Sequence, residues 1–140
     1  MTINATIKKF GYPTTLVREY AHWVVLLRKG QVTAGSLILA AKSEATAYGD
    51  LSESAFTEQA RVIADVEQLL RGAIKADKFN YLILMMVDPH VHFHIFPRYQ
   101  GSRSFAGLTL TDQGWPGPPD LKSAVELDDA AVDLAVESLR

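Results

Sequence analysis

The sequence of 140 residues contains no cysteine. This absence excludes a disulfide framework, a zinc site built on thiolates, an iron–sulfur centre and a cysteine nucleophile. Long apolar runs are also missing: the longest, Tyr81–Val87, is far shorter than the roughly 20 residues that span a bilayer. Residues 1–9 contain no apolar stretch typical of a signal peptide. We therefore expect no membrane partner and a cytoplasmic location.

The charge balance is close to neutral, with 14 Lys and Arg against 16 Asp and Glu and a formal net charge of -2. Proteins that bind duplex nucleic acid usually carry a strongly basic surface, so we expect no duplex partner. Hydrophobic residues make up 48% of the chain and charged residues 21%, a composition typical of ordinary globular proteins. At this length we predict a single domain over residues 1–140.

The hydrophobic pattern predicts four strands and two helices. The strands are expected at Glu19–Leu27, Ser36–Ala41, Asn80–Val87 and His90–Phe96, and the helices at Asp50–Lys75 and Asp128–Leu139. This order favours an α+β fold, in which an antiparallel sheet carries the long helix across one face and the C-terminal helix is short. The strand at residues 80–87 is apolar on both faces, which favours a central place in the sheet.

The long helix has two candidate N-caps, Asp50, which begins a capping-box-like pattern, and Ser52. Its apolar residues recur at helical spacing and are expected to form one buried face: Phe56, Ala60, Ile63, Val66, Leu70 and Ile74. The fourth strand is expected to end at Pro97. After it we predict a loop over residues 101–107 and an extended proline-rich stretch over residues 114–120.

Three of the four histidines occupy alternate positions, His90, His92 and His94. Successive side chains of a strand point to opposite faces, so all three imidazoles are expected on one face of the sheet. Neighbouring imidazoles disfavour one another's protonation, and each ring has two nitrogens that need partners. Three separate surface histidines would give the same pattern, but packing offers no reason for it. The alternation therefore indicates a ligand site.

Two chemistries fit this face. Zinc could be held by two of the imidazoles with Asp88 or His22, since Cβ atoms spread over roughly 13 Å keep all three rings from converging on one ion. Alternatively, the middle ring, His92, attacks a phosphoryl centre and forms a covalent phosphoramidate that water displaces. Its two neighbours are then placed to donate hydrogen bonds to the same phosphate. The residues alone leave both chemistries open.

The stretch His90–Phe96 has the pattern His-φ-His-φ-His-φ-φ, where φ is an apolar residue. It resembles the signature of the histidine triad superfamily of nucleotide-binding proteins, and the following Pro97 and Arg98 are common in its hydrolase branch. The segments KFGYP, VDPHVHFH and GWPGPPDL are similar to those of a bacterial group within the superfamily. The resemblance covers most of the chain, and three alternating histidines with apolar spacers form a specific motif.

The resemblance implies an α+β domain that forms a symmetric homodimer with a continuous sheet. It also implies a nucleotide hydrolase or nucleotidyl transferase that acts on dinucleoside polyphosphates or nucleoside phosphoramidates. In this reading His92 is the nucleophile, His94 binds phosphate and assists the leaving group, and His90 orients the middle ring. No metal ion and no cofactor are implied. The alternatives are a non-catalytic nucleotide-binding regulatory module and a zinc hydrolase with histidine ligands.

Two features depart from the family pattern. Ser36 stands where members commonly have a fourth histidine, and a serine can form hydrogen bonds but cannot titrate near neutrality. The glycine-rich loop that commonly precedes the first histidine is reduced to residues 86–89. We therefore expect substrate contacts from Ser36, Arg28 and Arg98, because guanidinium groups bind phosphate well. Two further cations are candidates for the same role, Lys29 and Arg103.

Overall fold

The computed structural model describes residues 3–140, so Met1 and Thr2 of the predicted domain lie outside the described residues. The strands are β1 Leu16–Glu19, β2 Trp23–Leu27, β3 Gly30–Gln31, β4 Leu37–Ala41, β5 Lys78–Ile83, β6 His92–Arg98, β7 Ser102–Phe105, β8 Leu108–Thr111 and β9 Val125–Glu126. The helices are α1 Ala5–Lys9, α2 Glu53–Ile74 and α3 Asp129–Leu139. The main sheet has five antiparallel strands in the order β1–β2–β4–β6–β5. The predicted α+β fold is confirmed.

The two faces of the main sheet are covered by different helices. One face, with Leu39 and Ile95, packs against the apolar sides of α2 and α3. The other face packs Ile38 and Ala40 against Ile7 of α1. In the pairing of β4 with β6, Ile38 lies opposite His94 and Ala40 lies opposite His92. Opposite residues of an antiparallel pair share a face, so both histidines lie on the α1 face of the sheet.

Two of the predicted strands differ from the structure. The segment Glu19–Leu27 is divided, because the chain reverses between β1 and β2 and the backbone N–H of Tyr20 donates to the carbonyl of Trp23 at 2.8 Å. Aromatic and aliphatic residues continue through this turn, so composition did not reveal it. β5 is an edge strand, not a central one. The apolar residues that suggested a central place, such as Met86 and Val87, lie beyond the strand and are exposed.

The N-cap of the long helix lies two residues after Asp50, the earlier of the two predicted candidates. The N-cap is Ser52, whose Oγ accepts from the backbone N–H of Ala55 at 3.1 Å. Asp50 lies in a short 3-10 turn instead. The buried stripe consists of Ala55, Gln59, Val62, Val66, Leu70 and Ile74. Its second half matches the prediction, but Phe56 and Ala60 are exposed because Trp23 packs against Ala55 and donates its indole N–H to that residue's carbonyl.

The C-terminal third is more ordered than the sequence predicted. β6 continues through Pro97 to Arg98, because β4 pairs with β6 only as far as Ile95 and leaves that side of Pro97 without a ladder partner. The predicted loop at 101–107 is part of the β7–β8 hairpin. Residues 114–118 form turns rather than an extended stretch. The second predicted strand and the C-terminal helix are confirmed as β4 and α3.

Among residues 3–140, no helix is both long and apolar enough to cross a membrane.

The start of α2 supplies a test of the fold. Replacing Ser52 with alanine removes the acceptor for the Ala55 N–H, and we expect the free energy of unfolding to fall by about 1 kcal/mol. The matched control is Asp50→Ala, whose effect should stay within about 0.5 kcal/mol because Asp50 is not the cap. Urea denaturation of both variants measures the difference. Equal losses would contradict the assignment of the cap.

Candidate active site

β6 presents His92 and His94 side by side on the α1 face of the sheet. Their ring centroids are 5.2 Å apart in an edge-to-face arrangement. Phe10, which follows α1, packs over both rings, at 5.3 Å from His92 and 6.0 Å from His94. Phe96 lies parallel to His94 at 6.1 Å. His94 is thus held between two phenylalanine rings, whereas His92 packs against Phe10 and the His94 ring.

His90 lies just before β6, so the prediction that all three histidines share one strand is wrong for this residue. Val91, the residue between His90 and β6, forms two backbone hydrogen bonds outside the strand ladder. Its N–H donates to the carbonyl of Ala45, and its carbonyl accepts from the N–H of Ala41. The His90 ring is nevertheless fixed at both nitrogens. Its Nδ1 lies 2.8 Å from Thr6 Oγ1, and its Nε2 lies 3.0 Å from a carboxylate oxygen of Glu44.

These contacts assign the tautomer of His90. Thr6 Oγ1 accepts a hydrogen bond from the backbone N–H of His90 at 3.3 Å, so its own proton is free to be donated to His90 Nδ1. The ring then carries its proton on Nε2 and donates it to Glu44. Both partners come from outside β6, Thr6 from α1 and Glu44 from the segment after β4.

His92 has one nitrogen bonded and one free. Its Nδ1 lies 2.7 Å from the backbone carbonyl of His90. A carbonyl only accepts, so Nδ1 carries the proton and Nε2 keeps its lone pair. Nε2 of His92 makes no hydrogen bond within residues 3–140. In that part of the chain every buried side-chain nitrogen and oxygen has a partner, so Nε2 must reach solvent, although His92 as a whole is only 2% exposed. This arrangement suits a nucleophile.

His94 is held in the opposite tautomer by Arg28. The Nε–H of Arg28 donates to His94 Nδ1 at 3.2 Å, and arginine has no acceptor, so the imidazole proton lies on Nε2. Burial, followed by the positive charge of Arg28 and by His92, lowers the pKa of His94 to about 4, against the opposing effect of Asp88. At neutral pH His94 is therefore an uncharged ring that can donate one hydrogen bond from Nε2.

Comparisons with known proteins give matches among solved structures. Scanning protein-family models and searching curated proteins each return no match for this sequence. A histidine triad protein from Sinorhizobium meliloti superposes with a TM-score of 0.75 at 17% identity, with 99% of this chain and 93% of that chain covered. One from Bradyrhizobium japonicum gives 0.73 at 21% identity over 99% and 94% of the two chains. A hypothetical histidine triad nucleotide-binding protein from Sulfolobus tokodaii gives 0.70 at 22% identity over 96% and 86%. This chain has the histidine triad fold.

Of the three substrate-binding residues expected beside the triad, only Arg28 contacts a triad histidine. Arg98 is buried in a bidentate ion pair with Asp112, at 2.7 and 3.0 Å, and also donates to Asn80 Oδ1 and the Gly117 carbonyl. Its guanidinium is thereby occupied within the fold. Ser36 is also buried, and its hydroxyl donates to the Thr33 carbonyl at 2.7 Å and accepts from the Thr33 N–H at 3.1 Å.

Two other residues predicted at the site, Arg103 as a phosphate contact and His22 as a zinc ligand, make their contacts elsewhere in the fold. Arg103 stacks on the Tyr99 ring at 4.6 Å and donates to the carbonyl of Ile74. His22 lies in the turn between β1 and β2, where its backbone N–H donates to Glu58. Among residues 3–140 no three His, Cys, Asp or Glu side chains are grouped so that they could hold a metal ion.

The sequence did not identify four residues that surround the triad: Thr6, Lys9, Phe10 and Glu44. Lys9 forms an ion pair with Asp88 at 2.5 Å, which ties the end of α1 to the turn before the triad. One cavity of about 210 Å³ is lined by Lys9, Phe10, Arg28, Lys29, Gly30 and Glu126. A second, of about 220 Å³, is lined by Ala5, Thr6, Lys9, Val87, Asp88 and Pro89. The KFGYP segment was the only sequence signal near these residues.

The pairing of Arg28 with His94 predicts a pH dependence. His94 has a pKa of about 4 in the folded chain against an ordinary value of 6.5. Between these values the unfolded chain binds more protons, so the part of the stability that depends on His94 is complete above pH 6.5 and declines as the pH falls towards 4. In Arg28→Met the pKa of His94 should rise, because a neighbouring positive charge is removed.

NMR titration of the imidazole C–H signals measures this shift. The control Arg18→Met removes an exposed arginine of β1 and should leave the titration of His94 unchanged. A titration of His94 that is the same in Arg28→Met as in the wild type would show that Arg28 does not control this ring.

Proposed function

We propose that the chain is a nucleotide hydrolase or nucleotidyl transferase that forms a covalent nucleotidyl group on His92 Nε2. The observation that carries this proposal is the hydrogen bond from His92 Nδ1 to the His90 carbonyl, which leaves Nε2 unprotonated and open to solvent. The substrates are nucleoside-phosphate conjugates, either dinucleoside polyphosphates or nucleoside phosphoramidates. The histidine triad fold and the motif at residues 90–96 support the same class of chemistry.

In the first step His92 Nε2 forms a bond to the α-phosphorus, and the bond from phosphorus to the leaving group breaks. The ring keeps its Nδ1 proton and becomes positively charged, and the His90 carbonyl stabilises this charge through the 2.7 Å hydrogen bond. In the second step a water oxygen, or another acceptor in a transferase, bonds to phosphorus and releases its proton to solvent, and the P–N bond breaks. The P–N electron pair then returns to Nε2.

The two flanking histidines serve this step in different ways. His94 presents its Nε2–H beside His92 and can donate to a phosphate oxygen, with the positive charge of Arg28 directly behind it. His90 acts through its backbone carbonyl and is fixed in place by Thr6 and Glu44. His90 is therefore a positioning residue.

Replacing the nucleophile tests the mechanism. In His92→Asn we expect turnover of diadenosine tetraphosphate and of adenosine 5′-phosphoramidate to fall by at least about 10³-fold, because no group remains to form the intermediate. His22→Asn is the matched control and should keep wild-type turnover, since His22 lies in the β1–β2 turn. Mass spectrometry after a quench without acid should find an adenylyl adduct on His92. Full activity of His92→Asn on every conjugate would refute the mechanism.

The same experiments distinguish the alternatives. A regulatory module would bind nucleotide without turnover and without an adduct. A zinc hydrolase would lose activity on treatment with a chelator, whereas the proposed mechanism needs no metal ion. The cytoplasmic location remains a prediction from the sequence.

We also propose that the protein is a homodimer joined through the edge strand β5. Support comes from the open edge of β5 and from the apolar residues that follow it, Leu84, Met86 and Val87, which are 51%, 80% and 85% exposed. Long exposed apolar edges promote pairing with another chain. A second copy of the chain would bury these side chains and continue the sheet.

Light scattering after size-exclusion chromatography tests the dimer. Wild type should have twice the monomer mass of 15.4 kDa, and Leu84→Glu should shift the population towards monomer because a buried carboxylate is costly. The control Leu134→Glu places the same charge at a 58% exposed leucine of α3 and should remain dimeric. A wild-type monomer at all concentrations would rule the dimer out.

A further inference from the structure

A cavity of about 490 Å³ lies over the start of the edge strand β5. It is lined by Lys78 and Asn80 of β5, by Arg98 of β6 and by residues 115–119 of the turns that follow β8. Lys78 pairs with Arg98, and alternate residues of β6 from His92 to Arg98 share one face of the sheet. The cavity therefore opens on the same face as the triad, at the edge where the homodimer is proposed to form.

The polar groups in the floor of this cavity are already bonded within the chain. The Arg98 guanidinium donates to both carboxylate oxygens of Asp112 and to the Gly117 carbonyl. Asn80 accepts from Arg98 and donates to a backbone carbonyl of β5. Lys78 is exposed, so its ammonium group stays in water. What remains for an occupant is the surface of one indole ring and three proline rings, which favours an apolar group over a polar ligand.

The wall that carries these rings has its shape before any partner arrives. The backbone N–H of Gly117 donates to the Gly114 carbonyl at 2.7 Å, and the N–H of Gly114 donates to Asp112 Oδ1 at 3.2 Å. A Cβ atom on Gly114 would collide with the carbonyl oxygen of Pro118, so the chain can come this close to itself only because residue 114 is glycine. A preformed wall spends little conformational entropy when it binds a partner.

Strand pairing determines which part of a second copy reaches this cavity. All pairs of the main sheet are antiparallel, and a second copy that continues this pattern places the end of its β5 beside the start of the other β5. Lys78, Asn80 and Leu82 occupy the face of the triad, since Leu82 pairs with His94. Leu84 is the next position of this alternation, so it arrives at the cavity of the partner subunit.

We infer that the cavity binds Leu84 and Met86 of a second copy of the chain, so that each subunit fills the cavity of the other. The inference rests on the homodimer proposed above and names the contact that holds it together. Leu84 is 51% exposed and Met86 is 80% exposed in the single chain. An apolar cavity of about 150 Å³ holds a benzene molecule, so a cavity of about 490 Å³ has room for both side chains. The same contact anchors the segment that leads into His90.

The absence of cysteine from the chain makes a cross-linking test specific. Leu84→Cys and Pro118→Cys are coexpressed with different affinity tags, and the purified heterodimer is treated with bismaleimidoethane, a short cross-linker. We expect a covalent dimer on a denaturing gel. Within one chain Leu84 lies roughly 20 Å along β5 from Lys78 at the cavity, so the cross-link must join two chains.

Three controls accompany this pair. Leu84→Cys alone and Pro118→Cys alone should give no covalent dimer, because the twofold axis sets each position far from its own copy. The pair of Leu84→Cys with Leu134→Cys should also stay uncoupled, since Leu134 is an exposed leucine of α3 that does not line the cavity.

Light scattering separates this inference from the homodimer itself. If wild type is a dimer but Leu84→Cys does not cross-link to Pro118→Cys, the homodimer stands and the inference is wrong. Cross-linking of Leu84→Cys to its own copy would also overturn the inference, because the two β5 strands would then be paired in another way. A wild-type monomer would contradict both proposals.

Tryptophan fluorescence gives a readout in the unmodified protein. The chain has two tryptophans, and Trp23 is completely buried, so a change of exposure at the cavity is reported by Trp115. Dilution of wild type to the monomer should move the emission to longer wavelength, and Leu84→Glu should emit at that longer wavelength at every concentration. Leu134→Glu, the control, should behave as wild type. Dimerisation without a change in emission would show that the cavity is left to another occupant, and the inference would fail.

Discussion

The pairing of β4 with β6 determines which side chains can take part in chemistry. It sets Ile38 opposite His94 and Ala40 opposite His92, so both imidazoles stand on the face of the sheet that α1 covers. A shift by one residue would turn them into the core beneath α2 and bring Phe93 out in their place. The opposite face is packed so closely with apolar side chains that such a shift would leave polar ring nitrogens buried without partners. The packing of the hydrophobic core therefore fixes the register of β4 against β6, and with it the face on which both imidazoles lie.

Hydrogen bonds to the ring nitrogens give each imidazole of the triad its own role. The His90 carbonyl fixes the proton of His92 on Nδ1, and Arg28 fixes the proton of His94 on Nε2. Two chemically identical side chains on one strand therefore present a lone pair and a donor, side by side. The protein has a formal net charge of only -2, so no global field attracts a polyanion. The positive potential of the site must come from nearby groups such as Arg28 and Lys29.

The alternation of His90, His92 and His94 was sufficient to predict one strand face for the last two, because a period of two residues is dictated by the strand backbone alone. Arg28 was expected to contact substrate, which stays a prediction, and its hydrogen bond to His94 was not foreseen. Arg98 is bound by Asp112, a carboxylate fourteen residues later. Tertiary partners of this kind cannot be read from local patterns. α1 escaped prediction because five residues are too few to show a helical period. The edge position of β5 was missed because the apolar run that suggested a central strand continues past Ile83 into exposed residues such as Met86 and Val87.

The N-terminal segment connects the stability of the fold to access to the triad. Ile7 of α1 is part of the apolar cluster on the sheet, while Thr6 bonds to the His90 ring and Phe10 packs over His92. These three residues lie within a single turn of helix and the residues that follow it, so a substitution that loosens the cluster also displaces the wall of the site. A loss of activity in a Phe10 variant would consequently combine altered chemistry with altered packing.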